Sequence, residues 1–85
     1  MKVLFNNYLT AEQRANEADS AWEANPENEE LEKAFDEAYK AEHEALEALI
    51  EEIEKETNGE IDKKTARMLV TARKEEVKSL IERIA

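Results

Sequence analysis

The sequence predicts an all-α protein from three observations. Residues 26–57 and 63–84 place apolar side chains at helical spacing. The one glycine, Gly59, lies between these stretches and can end a helix, because glycine adopts the left-handed backbone conformation without steric cost. No alternation of apolar and polar residues is long enough to indicate a strand. We therefore expect a short N-terminal arm and three helices, the last two forming a long antiparallel helical hairpin.

The N-terminal part of the chain is predicted to hold the arm and the first helix. Residues 1–9 form the arm, whose apolar side chains must cover apolar surface elsewhere in the fold. Thr10 and Gln13 have the spacing of a capping box, so we expect helix 1 to span residues 11–24. The apolar face of this helix is narrow and consists of Ala11, Ala15, Ala18 and Trp22.

The second helix is expected at residues 26–57. Pro26 disfavours helical geometry at Asn25 and suits the first turn of a new helix, with Asn25 as its N-cap. Apolar and aromatic side chains then recur about every 3.7 residues, which implies a nearly straight packing seam. The stripe consists of Leu31, Phe35, Tyr39, His43, Leu46, Ile50 and Ile53.

A third helix is expected at residues 63–84, with Asp62 as its N-cap. It contains most of the basic residues of the C-terminal part of the chain. Its stripe alternates steps of four and three residues and consists of Ala66, Val70, Arg73, Val77, Leu80 and Ile84. This stripe matches that of helix 2, so the two helices are expected to pack against each other.

The hydrophobic and charge patterns of helices 2 and 3 agree on one register if the chain reverses at Gly59. That register pairs Ile50 with Val70 and brings Glu47 towards Arg73. It also brings Glu42 towards Lys78. An arginine within an apolar stripe needs a buried partner or a route to water. Arg73 therefore either sets the register by pairing with Glu47, or lays its stem along the seam with its head in solvent.

Length and charge limit the possible functions. The 85 residues are expected to form a single domain, residues 1–85. Residues 1–62 carry 5 Lys/Arg and 19 Asp/Glu, a charge of −14, whereas residues 63–85 carry 7 and 3, a charge of +4. The total of −10 argues against direct binding to nucleic acid or anionic membranes. The chain has no cysteine and no apolar run long enough for a signal peptide, so a cytoplasmic location is expected.

The predicted helix lengths leave part of helix 2 without cover. Helix 1 reaches only to about residue 41, so residues 43–56 would contact helix 3 alone. The resulting apolar surface around Leu49 and Leu69 would be closed by a homodimer that completes a larger bundle, by the N-terminal arm, or by another protein.

The turn between helices 2 and 3 resembles the calcium-binding loop of the EF-hand family. Residues 54–65 match positions five to nine of that loop through Asn58, Gly59, Ile61 and Asp62. The resemblance implies a calcium-responsive helical hairpin. The first and last loop positions differ, because Glu54 and Thr65 replace the family's Asp and bidentate Glu. A helix C-cap, a short turn and an Asp N-cap account for the same residues without a metal.

Other candidate chemistry is sparse. His43 and Glu47 lie one helical turn apart and could contribute two metal ligands, but no second Glu-x-x-His element accompanies them. The serines have no histidine at a recognisable spacing, and a single glycine cannot build a phosphate-binding loop. The sequence thus predicts no catalytic, cofactor-binding or metal residues, no small-molecule substrate and no enzymatic activity.

The functions left open are all non-enzymatic. The first is protein–protein interaction or self-assembly, with a homodimer or another protein as the partner. The second is an acidic inhibitor that mimics nucleic acid, because 13 Asp/Glu and 3 Lys lie between Glu27 and Glu56. Carboxylates one helical turn apart approximate the spacing of phosphates along a strand. The third is the calcium-responsive hairpin.

Overall fold

The computed structural model describes residues 1–84, apart from the side chain of Ile84; Ala85 lies outside the described residues. Four α-helices account for nearly all of this part of the chain: α1 (Lys2–Ala24), α2 (Glu29–Glu56), α3 (Lys63–Ala72) and α4 (Lys74–Ile84). The described residues include no strand, so the all-α prediction is confirmed. None of the described helices combines the length and the apolar character needed to cross a membrane.

The first helix begins at Lys2, so the predicted N-terminal arm is wrong. Thr10 is an interior residue of α1 and does not cap it. Nothing in residues 2–10 breaks a helix, and Phe5 and Tyr8 are three residues apart and share one face. Both side chains are buried, whereas Val3 on another face is 70% exposed. Burial of this face stabilises about two and a half further turns of helix, residues 2–10.

The connection between α1 and α2 was predicted in part. α1 ends at Ala24, as Pro26 requires, but the N-cap of α2 is Asn28 and not Asn25. The side-chain oxygen of Asn28 accepts hydrogen bonds from the backbone N–H groups of Glu30 at 3.0 Å and Leu31 at 3.3 Å. Pro26 lies in the turn before this cap, so α2 begins three residues later than expected.

The turn between α2 and α3 has the predicted local structure. Asn58 and Gly59 adopt φ angles of 53° and 82°, in the left-handed region that glycine tolerates best. The hydroxyl of Thr57 donates to the carbonyl oxygen of Ile53 at 2.8 Å and accepts from the N–H of Ile61 at 3.2 Å. This one hydroxyl therefore connects the last turn of α2 to the chain that leads into α3.

Asp62 is the N-cap of α3, as predicted. Its carboxylate accepts a hydrogen bond from the backbone N–H of Thr65 at 2.8 Å. That bond favours the charged carboxylate and holds the pKa of Asp62 below its usual value.

The predicted third helix is two helices, because the chain bends at Arg73. The N–H of Arg73 donates to the carbonyl of Leu69 at 2.8 Å, and its own carbonyl accepts from Glu76 at 3.1 Å and Val77 at 3.2 Å. Arg73 thus ends α3 and begins α4. No glycine or proline occurs in residues 63–84, so the bend has no local cause in the sequence. Packing supplies one, since α4 brings Val77 and Ile81 into the core.

The hydrophobic core lies at one end of the molecule and draws on all four helices. Its buried members are Phe5, Tyr8, Leu46, Leu49, Ile50, Ile53, Ala66, Val70, Val77 and Ile81. Leu49 is fully buried, and Leu69 is half-buried against the same core. The expected open surface is therefore closed at Leu49 and only partly closed at Leu69. The helical N-terminal segment supplies part of that cover.

The ion pairs between helices differ from the predicted ones. Glu47 pairs with Arg67 and not with Arg73, whose guanidinium lies 2.9 Å from Glu76 within the same stretch. Lys74 bonds Glu12 at 3.0 Å and so ties the start of α4 to α1. Among the residues described, Glu42 and Lys78 form no ion pair. Both predicted ion pairs assumed an unbroken third helix, and the break in the helix at Arg73 removes that basis.

Helix lengths explain why the core occupies only one end. The 28 residues of α2 span about 42 Å, whereas the 10 residues of α3 span about 15 Å. The molecule measures 46 × 19 × 18 Å, close to the length of α2 alone. The short helices α3 and α4 can therefore cover only part of the α1 and α2 pair.

Candidate interaction surface

Residues 16–45 form the longest stretch of the described chain that contributes no buried residue to the core, and we call them the extension; Ala45, at its end, packs against the core. They comprise the last turns of α1, the connection and the first half of α2. None of these thirty residues is buried. Its half-buried residues are Ala18, Asp19, Trp22, Leu31, Phe35, Ala38, Glu42 and Ala45. The extension is thus a helical pair whose apolar side chains remain partly in contact with solvent.

At Tyr39, the apolar stripe of α2 is no longer covered by other helices and becomes exposed to solvent. Leu46 and Ile50 follow Tyr39 by seven and eleven residues, which is about two and three helical turns, so the three residues share one face. Leu46 is buried and Ile50 is completely inaccessible, yet Tyr39 is 59% exposed. The same helix face is therefore packed in the core and open in the extension.

An aromatic stack holds this exposed tyrosine in place. The ring centroids of Trp22 and Phe35 are 5.9 Å apart with 23° between their planes. Those of Phe35 and Tyr39 are 6.0 Å apart with 24° between the planes. Offset aromatic pairs at such distances attract each other beyond their burial of area. The stack therefore restricts the orientation of the exposed Tyr39 ring.

The indole of Trp22 carries an unpaired donor. Its Nε1 atom is buried and has no hydrogen-bond acceptor among the described residues. Buried polar groups without partners are uncommon in folded proteins because each one costs free energy. The extension therefore contains the one such side-chain atom found in residues 1–84, which indicates packing that is less complete than in the core.

Nearly all of the net charge lies in the extension. Its residues include 11 Asp/Glu and 2 Lys, a charge of −9, whereas the rest of the chain has 11 Asp/Glu and 10 Lys/Arg, a charge of −1. Glu32 and Asp36 are exposed and precede Tyr39 by seven and three residues, so they lie on its face of α2. Two exposed carboxylates thus lie on the same helix face as the exposed aromatic ring. The sequence showed that helix 2 is acidic. It did not show that the net charge is concentrated in the extension, because the extension is defined by where the core lies.

A polar cluster marks the border between the core and the extension. The hydroxyl of buried Tyr8 donates to Oε2 of Glu12 at 3.0 Å, and Nζ of Lys74 lies 3.0 Å from the same oxygen. Burial, aided by Glu12, raises the pKa of the Tyr8 phenol. Burial also raises the pKa of the Glu42 carboxyl, with Glu12 adding to this and Lys74 opposing it. The sequence could not reveal this cluster, because Lys74 meets Glu12 only through the bend at Arg73.

The residues considered for metal binding serve other contacts. The Asp62 carboxylate caps α3, and the preceding left-handed residues end α2. His43 Nε2 lies 3.9 Å from Oε1 of Glu47, and that oxygen also bonds Arg67. Within residues 1–84, no three His, Cys, Asp or Glu side chains gather closely enough to hold a metal ion.

No protein-family model matches the chain, and no curated protein or solved structure compared with it shows significant similarity. The function must therefore be argued from the geometry of the extension itself.

Proposed function

We propose that this chain is a non-enzymatic protein–protein interaction module that binds its partner through the extension. The exposure of Tyr39 carries the proposal. Its ring belongs to the helix face that α2 buries in the core, and the stack on Phe35 holds it ready. Aromatic side chains ordered in this way supply contact area at low entropic cost and are enriched at protein interfaces.

The distribution of titratable groups supports a role without catalysis. No charged residue is buried among those described. General acid or base catalysis needs carboxylates or histidines whose pKa values are shifted by a pocket, usually beside a second group in a defined role. The cluster of Tyr8, Glu12 and Lys74 links α1 to α4, and its polar groups are accounted for by that structural contact. A cytoplasmic location belongs to the same proposal, since the chain carries no cysteine.

The partner is either a second copy of the chain or another protein. A second copy would pair two extensions into a larger helical bundle, in which each Tyr39 ring is covered by the opposite helices. The turn at Gly59 and the core shared by α2 and α3 support the helical-hairpin arrangement on which that bundle would be built. Sedimentation velocity over a wide range of protein concentration distinguishes the two kinds of partner.

A capture experiment tests the proposed surface. The chain would be immobilised, and the proteins retained from a cell lysate compared among wild type, Tyr39→Ser and Met68→Ser. Met68 is the matched control because it is also large and apolar, is 52% exposed and lies on α3 outside the extension. We expect Tyr39→Ser to lose the retained partner and Met68→Ser to keep it. Equal retention by all three proteins, with no self-association, would refute the proposal.

The acidic surface supports the second candidate function, an inhibitor that mimics nucleic acid. The carboxylates of Glu29, Glu30, Glu37 and Glu44 are exposed along α2. A mimic would compete with DNA or RNA for its partner and would release that partner as salt rises, because charge carries most of such binding. Capture that survives Tyr39→Ser and fails at high salt would favour this second function over the first.

A further inference from the structure

We infer that the extension receives a basic amphipathic helix of another protein, laid along the Tyr39 face of α2. This inference rests on the proposed function and specifies the chemistry of the partner. It follows from two features of the molecule: the charge of the extension, and the way the chain covers the same stripe in its own core.

Charge argues against a second copy as the occupant. The extension carries −9 of the total of −10, so two extensions placed side by side would bring about 18 negative charges together. Glu32 and Asp36 flank the Tyr39 face directly and would meet their own equivalents or other carboxylates. A partner rich in lysine and arginine would instead be attracted to this surface, because its positive charges would meet the carboxylates of the extension.

The core shows which kind of element the stripe of α2 accepts. α3 packs beside Ile50 and Ile53 with the small side chains Ala66 and Val70. It carries three basic residues and no acidic one, and its Arg67 reaches across to Glu47. A helix with a small apolar face and basic edges is therefore the cover that α2 already uses. After the bend at Arg73, Lys74 contacts Glu12 of α1, and Val77 and Ile81 lie in the core, so this cover does not continue along α2 to Tyr39.

Two synthetic peptides would test the inference directly. The basic probe is a 21-residue helix with leucine at every third or fourth position and lysine elsewhere; the acidic probe has glutamate in place of each lysine. Neither contains tryptophan, so emission from Trp22, which stacks on Phe35, reports binding to the extension. Nuclear magnetic resonance shifts of backbone amides would locate the bound peptide.

We expect the basic probe to shift amides of residues 16–45 and to bind more weakly as salt rises. Tyr39→Ser should weaken binding about tenfold, as loss of an interface aromatic commonly does, whereas Met68→Ser should leave it unchanged. Equal binding of both probes would overturn the inference. So would basic-probe binding that is indifferent to Tyr39→Ser, because it would reflect net charge alone.

Failure of the inference and failure of the proposed function have different signatures. If the basic probe does not bind but the chain self-associates, and Tyr39→Ser abolishes that association, the extension is an interface between copies and only the inference falls. If neither probe binds and the chain sediments as a monomer that retains no partner, both fall.

Discussion

Thr57 shows how a single side chain can join two helices. Its hydroxyl donates to Ile53 and accepts from the N–H of Ile61, so Thr57→Val would leave that half-buried backbone donor without an acceptor. We expect a loss of about 1–2 kcal/mol in the free energy of unfolding. The matched control is Thr71→Val, because the Thr71 hydroxyl, at an exposed position of α3, donates only to the carbonyls of Arg67 and Met68 within its own helix. Urea denaturation of both variants measures the difference, and equal stabilities would contradict the bridging role.

Tyr8 predicts a specific alkaline instability. Burial raises the phenol pKa above the value of 10.0 for an unperturbed tyrosine, so folding favours the protonated form. The stabilisation is complete below pH 10 and is lost as the pH rises above it, because only the unfolded chain then releases the proton readily. Tyr8→Phe should therefore lose less stability than wild type between about pH 10 and 12. Tyr39→Phe, at an exposed tyrosine, should follow wild type; identical profiles for all three proteins would show that Tyr8 ionises freely.

Residue-scale features were predictable where they depend only on near neighbours. Gly59 and Asp62 were correctly predicted to stop one helix and cap the next, because both roles are decided within about four residues of sequence. Asn25 was wrongly taken as the cap of α2, since Asn28 competes for the same role three residues later. The pairs Glu47 with Arg67 and Glu12 with Lys74 depend on a distant bend, so no local pattern contains them.

At the scale of elements, the first three turns of α1 contribute buried side chains on which the stability of the core depends. Phe5 is buried there among side chains of the other helices. We expect Phe5→Ala to cost about 3–5 kcal/mol. That is a large share of the roughly 4–13 kcal/mol expected for a domain of this length. If Phe5→Ala does not fold, the milder Phe5→Leu should cost about 1 kcal/mol.

Val3→Ala provides the control for this prediction, because Val3 lies on the same turns of α1 but is 70% exposed. It should change the unfolding free energy by less than about 0.5 kcal/mol. Thermal and urea denaturation would measure all three variants. Similar values for Phe5→Leu and Val3→Ala would mean that the start of α1 lies outside the core.

The existence of helices could be predicted better than their ends. Hydrophobic periodicity identified α2 and the helical character of residues 63–84 correctly. The arm was wrong because a capping-box pattern at Thr10 was given more weight than the helical spacing of Phe5 and Tyr8. The bend at Arg73 was missed because it arises from packing of α4 on the core, without a glycine or proline to signal it.

At the scale of the whole molecule, apolar packing and charge are separated along the long axis. One end holds every buried residue of the core, and the extension holds nearly all of the net charge. This separation could not be predicted from the totals alone, because it depends on which half of α2 the short helices cover. It gives the chain a packed scaffold and an exposed acidic and aromatic face, the division of roles on which the proposed binding rests.

Residue-resolved hydrogen exchange of backbone amides at two protein concentrations tests this division most directly. We predict that amides in residues 46–53 and 66–70 exchange at least about tenfold more slowly than those in the helical parts of residues 16–45, because local opening is easiest where nothing is buried. The difference should be the same at both concentrations if the extension is free in the isolated chain. Uniform protection along α2, at both concentrations, would contradict an uncovered extension.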